Sequence, residues 1–198
     1  MARRLWFTKQ VPSCYNHHPP DAVALRQRGS AALGFLIFSN MNEIVQLNSK
    51  MKLSEHFTLG EMTKSNSHPE IYNIPSHEAI ANLKRLCGWL EALREASPGP
   101  SKRRGAPIII NSGYRSPQLN RKIGGAPNSN HLTGCAVDIR VSGMEQLIRY
   151  AAILLDYADE SKQEFDEFLI EKNRYGAIWL HFAVRPSGNR RKVCFINA

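Results

Sequence analysis

The sequence is poor in cysteine, with four in 198 residues and no C-x-x-C pair. Cys14, Cys87, Cys135 and Cys194 are far apart, so neither a thiolate metal site nor a disulfide framework is predicted, and reduced thiols are expected. No run reaches the roughly 18 apolar residues that span a bilayer. We therefore expect no stable insertion of the chain into a membrane.

The longest apolar run, Ala31 to Phe38, lacks the features of a complete secretory signal. It follows Arg26 and Arg28, as an apolar signal segment follows its basic region. However, it begins deep in the chain, and no clear small-x-small cleavage site comes after it. We therefore expect no functional signal peptide and synthesis in the cytoplasm.

Acidic residues are outnumbered, since 17 Asp and Glu face 26 Lys and Arg, which gives a formal charge of +9. This excess favours an anionic partner such as nucleic acid, acidic lipid or acidic cell-wall polymers. Two basic clusters, at 102–104 and 190–192, are interpreted as solvated loops. The chain shows no recognition helix and no aromatic RNA-binding signature, so nucleic acid is not a predicted partner.

Residues 1–50 lack a sustained hydrophobic period and are predicted to be a poorly ordered N-terminal extension. A regular pattern begins at Met51, and Met41 or Met51 is a candidate for the true start, which mass spectrometry of the natural N-terminus would decide. The second predicted unit, residues 51–198, is the folded domain.

Helix and strand patterns within residues 51–198 predict an α+β domain in which helices flank a small, mostly antiparallel sheet. Capping boxes at Thr58/Glu61 and at Ser142/Glu145 predict helix starts. A long helix is predicted from Ser76 to Glu95, with apolar residues at steps of three and four. A brief helix is predicted to begin at Ser116-Pro117. The predicted strands are 107–110, 136–141, 165–171, 178–184 and 192–196.

His131 and Asp138 lie seven residues apart, around a glycine and an incoming strand, and this spacing can close on one ion. His181, in a strand with Trp179, is the best third ligand. Imidazole and carboxylate are good zinc ligands, and a catalytic site leaves a fourth position for water. Taken singly, Asp138 could instead pair with Arg140 or another base, and His181 could be a hydrogen-bonded core histidine.

The complete pattern is S-x-H-x-x-G-x-A-x-D at Ser129–Asp138, with S-G-Y-R-S at Ser112–Ser116 before it and W-x-H, ending at His181, after it. It resembles the zinc D-alanyl-D-alanine carboxypeptidase family, and phage endolysins and the hedgehog signalling domain share its metal-site pattern. The resemblance covers roughly 51–198. It implies a hedgehog-like or D-Ala-D-Ala-peptidase-like fold, one Zn²⁺, and hydrolysis of D-alanyl bonds in peptidoglycan stem peptides at the cell wall.

The resemblance also implies a catalytic glutamate at Glu171, which ends a strand ten residues before His181. Some family members have this glutamate closer to the last histidine, at the third position before it, where Ile178 stands here. Asp166 and Glu167 are alternatives, although strand alternation favours Glu171. A further alternative is that Glu171 only pairs with the basic residues that follow it.

Two more residues receive roles from the resemblance. Arg115 follows a buried strand, and the family pattern assigns its guanidinium to a peptide carboxylate or to the oxyanion that develops on attack. Ser129 resembles a substrate-contacting serine, although a turn-forming hydroxyl explains it equally well. Cys135 is predicted to point away from Asp138 and to pack.

The alternative function is a non-catalytic, metal-stabilised cell-wall binding module, as the hedgehog resemblance illustrates. A binding module needs no base beside the metal, so substitution of Glu171 discriminates the two functions. Terminal trimming by a carboxypeptidase and cross-link cleavage by a wall endopeptidase or endolysin both fit the pattern. Bacterial and prophage origin, and any oligomeric state, are equally compatible with it.

Overall fold

The computed structural model describes residues 14–15, 49–98 and 105–197. Of the predicted extension at 1–50, only residues 14–15 and 49–50 are among them, so that prediction otherwise lies outside the described residues. The helices are α1 (Leu59–Thr63), α2 (His77–Ala96), α3 (Pro117–Lys122) and α4 (Met144–Ser161), with a 3₁₀ turn at Asn130–Thr133. The strands are β1 (Cys14–Tyr15), β2 (Ile110–Ser112), β3 (Ala136–Arg140), β4 (Glu167–Lys172), β5 (Ile178–Ala183) and β6 (Lys192–Asn197).

Side-chain caps fix the starts of three helices where the sequence predicts them. The Thr58 side chain accepts from the Glu61 backbone N–H, and the Glu61 carboxylate accepts from the Thr58 N–H, so the predicted capping box is confirmed. Ser76 caps α2 and Ser116 caps α3 in the same manner. These bonds satisfy N–H groups that have no partner inside the helix.

The predicted capping box at Ser142/Glu145 is wrong. Helix α4 begins one residue later, at Met144, and its N-cap is Gly143, which makes no side-chain cap. The Ser142 backbone N–H instead donates to Gln146 Oε1 at 2.7 Å. The residue types therefore predict a helix start in the correct region. The acceptor of the bond is Gln146, one position beyond the expected Glu145.

The six described strands form one sheet in the order β1-β6-β4-β5-β3-β2. All neighbouring pairs are antiparallel except β4 and β6, which are parallel. The predicted strand at 107–110 is displaced, because β2 spans Ile110–Ser112 and its register with β3 is irregular between those two residues. The predicted α+β class with a mostly antiparallel sheet is confirmed.

Helices α2 and α4 pack on one face of the sheet and form the hydrophobic core. Trp89 of α2 meets Phe182 at a centroid distance of 5.3 Å, and Phe182 meets Phe168 nearly edge to face at 6.3 Å. Aromatic contacts of this kind add to the free energy gained from burial. The other face of β3, β5 and β4 is left to carry polar side chains.

Two of the cysteines behave as the sequence predicts. Cys87 and Cys135 are buried and free, and burial raises the pKa of the Cys87 thiol to about 12. Cys194 is disulfide-bonded, so the prediction of reduced thiols is wrong for it. Within the described ranges, no helix combines the length and the apolar character that crossing a membrane requires.

Candidate metal centre

Strand register brings two of the predicted ligands side by side. Asp138 on β3 is directly paired with His181 on β5, and His181 is paired with Leu169 on β4. Because directly opposed side chains point to the same face, these three project from the face opposite the helices. Glu167 and Glu171 flank Leu169 on the same face, as strand alternation predicts.

The third predicted ligand, His131, is presented by the 3₁₀ turn just before β3. Ser129 caps this turn by accepting from the His131 backbone N–H at 3.3 Å. Gly134 ends it with a positive φ of 72°. His131 Nδ1 lies 2.6 Å from the Gly113 carbonyl oxygen, which can only accept, so Nδ1 carries the proton. The unprotonated Nε2 is therefore the atom that faces Asp138 and His181.

Three potential ligand atoms converge at this point. His131 Nε2 lies 3.3 Å from both His181 Nδ1 and Asp138 Oδ1, and the last two atoms are 2.9 Å apart. All three residues are buried, and among the described residues they form the one such group that could hold a metal ion. Ligands held at about 2.0 to 2.1 Å in a tetrahedron are about 3.3 Å apart, so the three atoms fit a zinc-sized ion.

The protonation states follow from this close packing. Burial is the largest influence on His131 and lowers its pKa, which keeps the imidazole neutral. Burial also opposes charge on His181, but the hydrogen bond to Asp138 and the nearby Glu167 carboxylate outweigh it and raise the pKa of His181 to about 9. Against its own burial, Asp138 has a lowered pKa because the hydrogen bond with His181 stabilises its charge. The carboxylate is therefore ionised, as metal binding requires.

Arg115 contacts the same carboxylate from the outside. Its Nη2 lies 2.5 Å from Asp138 Oδ2, and its Nε donates to Ser112 Oγ at 2.9 Å. Since Oδ2 is held by the arginine, Oδ1 is left for the histidines. The base that pairs with Asp138 is therefore Arg115 and not Arg140, whose Nε donates to Asn111.

Glu171 lies on the edge of the same cleft. Burial raises the pKa of its carboxyl, and the nearby Asp138 charge raises it further. Among the described residues, Glu171 makes no ion pair with Lys172 or Arg174, and Arg174 contacts the Tyr175 hydroxyl instead. The carboxyl therefore borders the cleft without an ion pair in the described part of the chain, and its neighbour is the Trp179 side chain, which forms a hydrogen bond with it.

The two alternative acids occupy different positions. Asp166 is fully buried and forms ion pairs with Arg185 and Arg190, which leaves it no access to a substrate. Glu167 Oε2 lies 3.6 Å from His181 Nε2 on the side away from Asp138. Carboxylates in this position orient a ligating histidine through its second nitrogen.

All the predicted site residues border one cleft of ≈ 520 Å³. Arg115, Ser129, His131, Asp138, Glu171 and His181 line it together with Glu167, Arg185, Arg190 and Lys192. The last three are not predicted from the sequence, because 190–192 is interpreted there as a solvated loop and Arg185 belongs to none of the motifs. The local signal that could have found them is an aspartate, Asp166, directly after Phe165 in the predicted strand 165–171.

Comparison with known proteins agrees with this geometry. Residues 55–166 match the profile of a family described as Peptidase M15. The chain is also 32% identical over 111 residues to the zinc D-Ala-D-Ala carboxypeptidase of Streptomyces albus G. That alignment covers 56% of this chain and 41% of the relative, so the chain spans about two fifths of the relative's length. Because the family profile matches more than half of its residues, the chain belongs to the peptidase M15 family.

Proposed function

We propose that this chain is a zinc-dependent peptidase that hydrolyses D-alanyl peptide bonds of bacterial peptidoglycan. The carrying observation is the convergence of His131 Nε2, Asp138 Oδ1 and His181 Nδ1 within 3.3 Å of one another at the cleft. In this proposal these three residues hold one Zn²⁺. The similarity to a zinc D-Ala-D-Ala carboxypeptidase supports the choice of both metal and substrate.

The donor set suits the metal. Two imidazole nitrogens and one carboxylate are a common catalytic zinc set, with one position left open. His181, whose pKa is raised without the metal, would release its proton when the metal binds. Each ligand has an outer contact: His131 with the Gly113 carbonyl, Asp138 with Arg115, and His181 with Glu167. Such contacts fix ring orientation and raise ligand basicity.

When bound, zinc polarises the scissile carbonyl and lowers the pKa of water toward about 7. Glu171 is the general base in this proposal, because its half-buried carboxyl borders the cleft without an ionic partner. A base of raised pKa takes up a proton at neutral pH more readily than an ordinary glutamate does, and it can then return that proton to the leaving amine.

Arg115 holds the oxyanion or the terminal carboxylate of the substrate in this proposal. One Nη contacts Asp138 and Nε contacts Ser112, so the guanidinium is fixed while its other terminal nitrogen has no partner among the described residues. A fixed donor of this kind stabilises developing negative charge without reorganising. Ser129 caps the His131 turn and also borders the cleft, so a substrate contact is compatible with its capping bond.

The site of action follows from the substrate. Peptidoglycan stem peptides lie in the wall, so the chain would act there after synthesis in the cytoplasm, as an endolysin does. Its excess of basic residues over acidic residues favours attraction to an anionic wall. Trimming of a terminal D-alanine and cutting of a cross-link are the two forms of the proposed reaction.

The test is hydrolysis of purified muropeptides by the zinc-loaded protein, followed by mass spectrometry. Glu171→Gln should retain zinc but lose turnover by about 10²- to 10⁴-fold, because only the proton acceptor is removed. Glu145→Gln, on an exposed part of α4, is the matched control and should cleave normally. Release of D-alanine identifies a carboxypeptidase, and a split cross-link identifies an endopeptidase.

Absence of any product from folded, zinc-loaded protein on several wall types would reject the peptidase and favour the metal-stabilised binding module. Full activity of Glu171→Gln would reject Glu171 as the base. Removal of the metal by a chelator should abolish turnover and lower the melting temperature, and added zinc should restore both. The unmodified protein should bind one equivalent of zinc. The His181→Ala variant should lose this bound zinc.

A further inference from the structure

Three basic side chains line the cleft beside the proposed metal centre and have no part in the function described above. Arg185 follows β5, Arg190 precedes β6 by two residues, and Lys192 is the first residue of β6. Their side chains are 34%, 47% and 27% exposed, so each is partly open to solvent. We call these three side chains the basic wall of the cleft. A group of positive charges beside a proposed hydrolytic site favours the binding of an anionic partner.

A buried carboxylate holds the two arginines in place. Asp166 has no exposed surface and accepts from Arg190 Nε at 2.7 Å and from Arg190 Nη2 at 2.8 Å, and it forms an ion pair with Arg185, whose Nε lies 2.9 Å away. Asn130, next to His131, donates to the same carboxylate at 2.8 Å. Burying an aspartate is costly unless it is paired in this way. Asp166 is therefore a positioning residue for both guanidinium groups.

The basic wall retains positive charge after its internal pairs are counted. Glu167 is the second carboxylate of the network, 2.8 Å from Arg190 Nη2 and 3.7 Å from Lys192 Nζ. Three cations thus face two carboxylates. Arg185 uses only Nε for Asp166 and for Asn130, and its two terminal nitrogens have no partner in the described part of the chain. These two donors form a free fork of the kind that binds a carboxylate.

The same network fixes the distance between the basic wall of the cleft and the proposed metal ligands. Glu167 bridges them, since one of its oxygens is 3.6 Å from His181 Nε2 and the other is 2.8 Å from Arg190 Nη2. The basic wall and the proposed metal ligands are therefore separated by a single carboxylate group. An anion bound at the basic wall of the cleft would therefore belong to the substrate residue next to the bond that is cut.

We propose that Arg185, Arg190 and Lys192 form a second anion-binding subsite, which selects substrates with a side-chain carboxylate on the residue beside the scissile dipeptide. This proposal rests on the proposed peptidase function and adds a specificity determinant to it. The competing explanation is that the network only fastens residues 184–191 to β4. The two explanations differ in one measurable respect, which is whether the substrate's carboxylate matters.

The experiment uses two synthetic peptides that end in D-Ala-D-Ala and carry either glutamate or glutamine directly before that dipeptide. The zinc-loaded protein should cleave the glutamate peptide with about tenfold higher kcat/KM, mostly through a lower KM. Arg185→Gln and Lys192→Gln should each reduce this preference about three- to tenfold, with melting temperature and zinc content checked alongside. Arg185→Lys, which keeps the charge, should retain more of the preference than Arg185→Gln.

Arg149→Gln is the matched control, because Arg149 is an exposed arginine that pairs with Glu145 on α4, outside the cleft. It should leave the preference unchanged. Equal cleavage of the two peptides by the unmodified protein would overturn the subsite while leaving the peptidase intact. If neither peptide is cleaved, calorimetry with the same zinc-loaded protein decides: tighter binding of the glutamate peptide supports the subsite, and equal binding overturns it.

Discussion

Gly134 sits where the 3₁₀ turn that presents His131 touches helix α2, and its replacement by alanine should be costly. Its φ of 72° is unfavourable for a residue with a Cβ, which costs about 1–2 kcal/mol. The added Cβ would also lie 2.5 Å from the Ala79 carbonyl oxygen, a backbone atom that cannot swing aside. Overpacking of this kind costs about 1–3 kcal/mol. Gly134→Ala should therefore lower the free energy of unfolding by about 2–5 kcal/mol.

The matched control is Gly176→Ala in the turn between β4 and β5. Gly176 has a similar φ of 85°, but nothing lies within 4 Å of its added Cβ. It should show only the conformational cost of about 1–2 kcal/mol. Urea denaturation of both variants measures the difference, and zinc titration should show weaker binding only for Gly134→Ala. Equal destabilisation of the two variants would refute the argument that contact with Ala79 constrains the turn.

Two further predictions concern residues outside the metal centre. Asn73→Ala should lower the free energy of unfolding, measured by urea denaturation, by about 2–4 kcal/mol. The reason is that the Asn73 side chain donates to the Thr63 and Tyr114 carbonyls and accepts from the Ser116 N–H. A decrease below about 1 kcal/mol would contradict this prediction. For Glu91, burial is outweighed by hydrogen bonds from Ser54 and His56, which lower its pKa below the ordinary 4.5. Its stabilisation is therefore complete above that value and lost as pH falls through the lowered pKa. The difference in melting temperature between the unmodified protein and Glu91→Gln should hold between about pH 5 and 6 and shrink below about pH 4, and a difference independent of pH would contradict the assignment.

Local patterns in the sequence predict those parts of the fold that depend on neighbouring residues. Helix α2 follows from Ser76 as its cap and from apolar residues at steps of three and four, and the structure begins it at His77. The start of α4 could not be found in this way, because Gln146 rather than Glu145 accepts the capping bond. Whether Glu145 or Gln146 accepts the bond from the Ser142 N–H depends on the backbone angles at Gly143. The amino-acid composition of the segment does not encode those angles.

Long-range pairing is the other part that the sequence does not reveal. Strand alternation predicts that His181 and Asp138 each face the site, but their direct pairing depends on the register of β3 and β5. Arg185 approaches Asp166 because β5 is antiparallel to β4, and Arg190 does so because β6 runs parallel to β4. A basic cluster in a loop looks the same in the sequence whether its partner is solvent or a buried aspartate 24 residues away.

The direct pairing of Asp138 with His181 also determines where the chain tolerates changes in length. Adding one residue inside β5 would rotate His181 to the helix side of the sheet, since successive side chains alternate. Residues added at Tyr175 or Gly176, in the turn before β5, leave that pairing untouched. This turn is therefore a place where loop extensions can be introduced, by evolution or by engineering, while the proposed metal ligands keep their spacing.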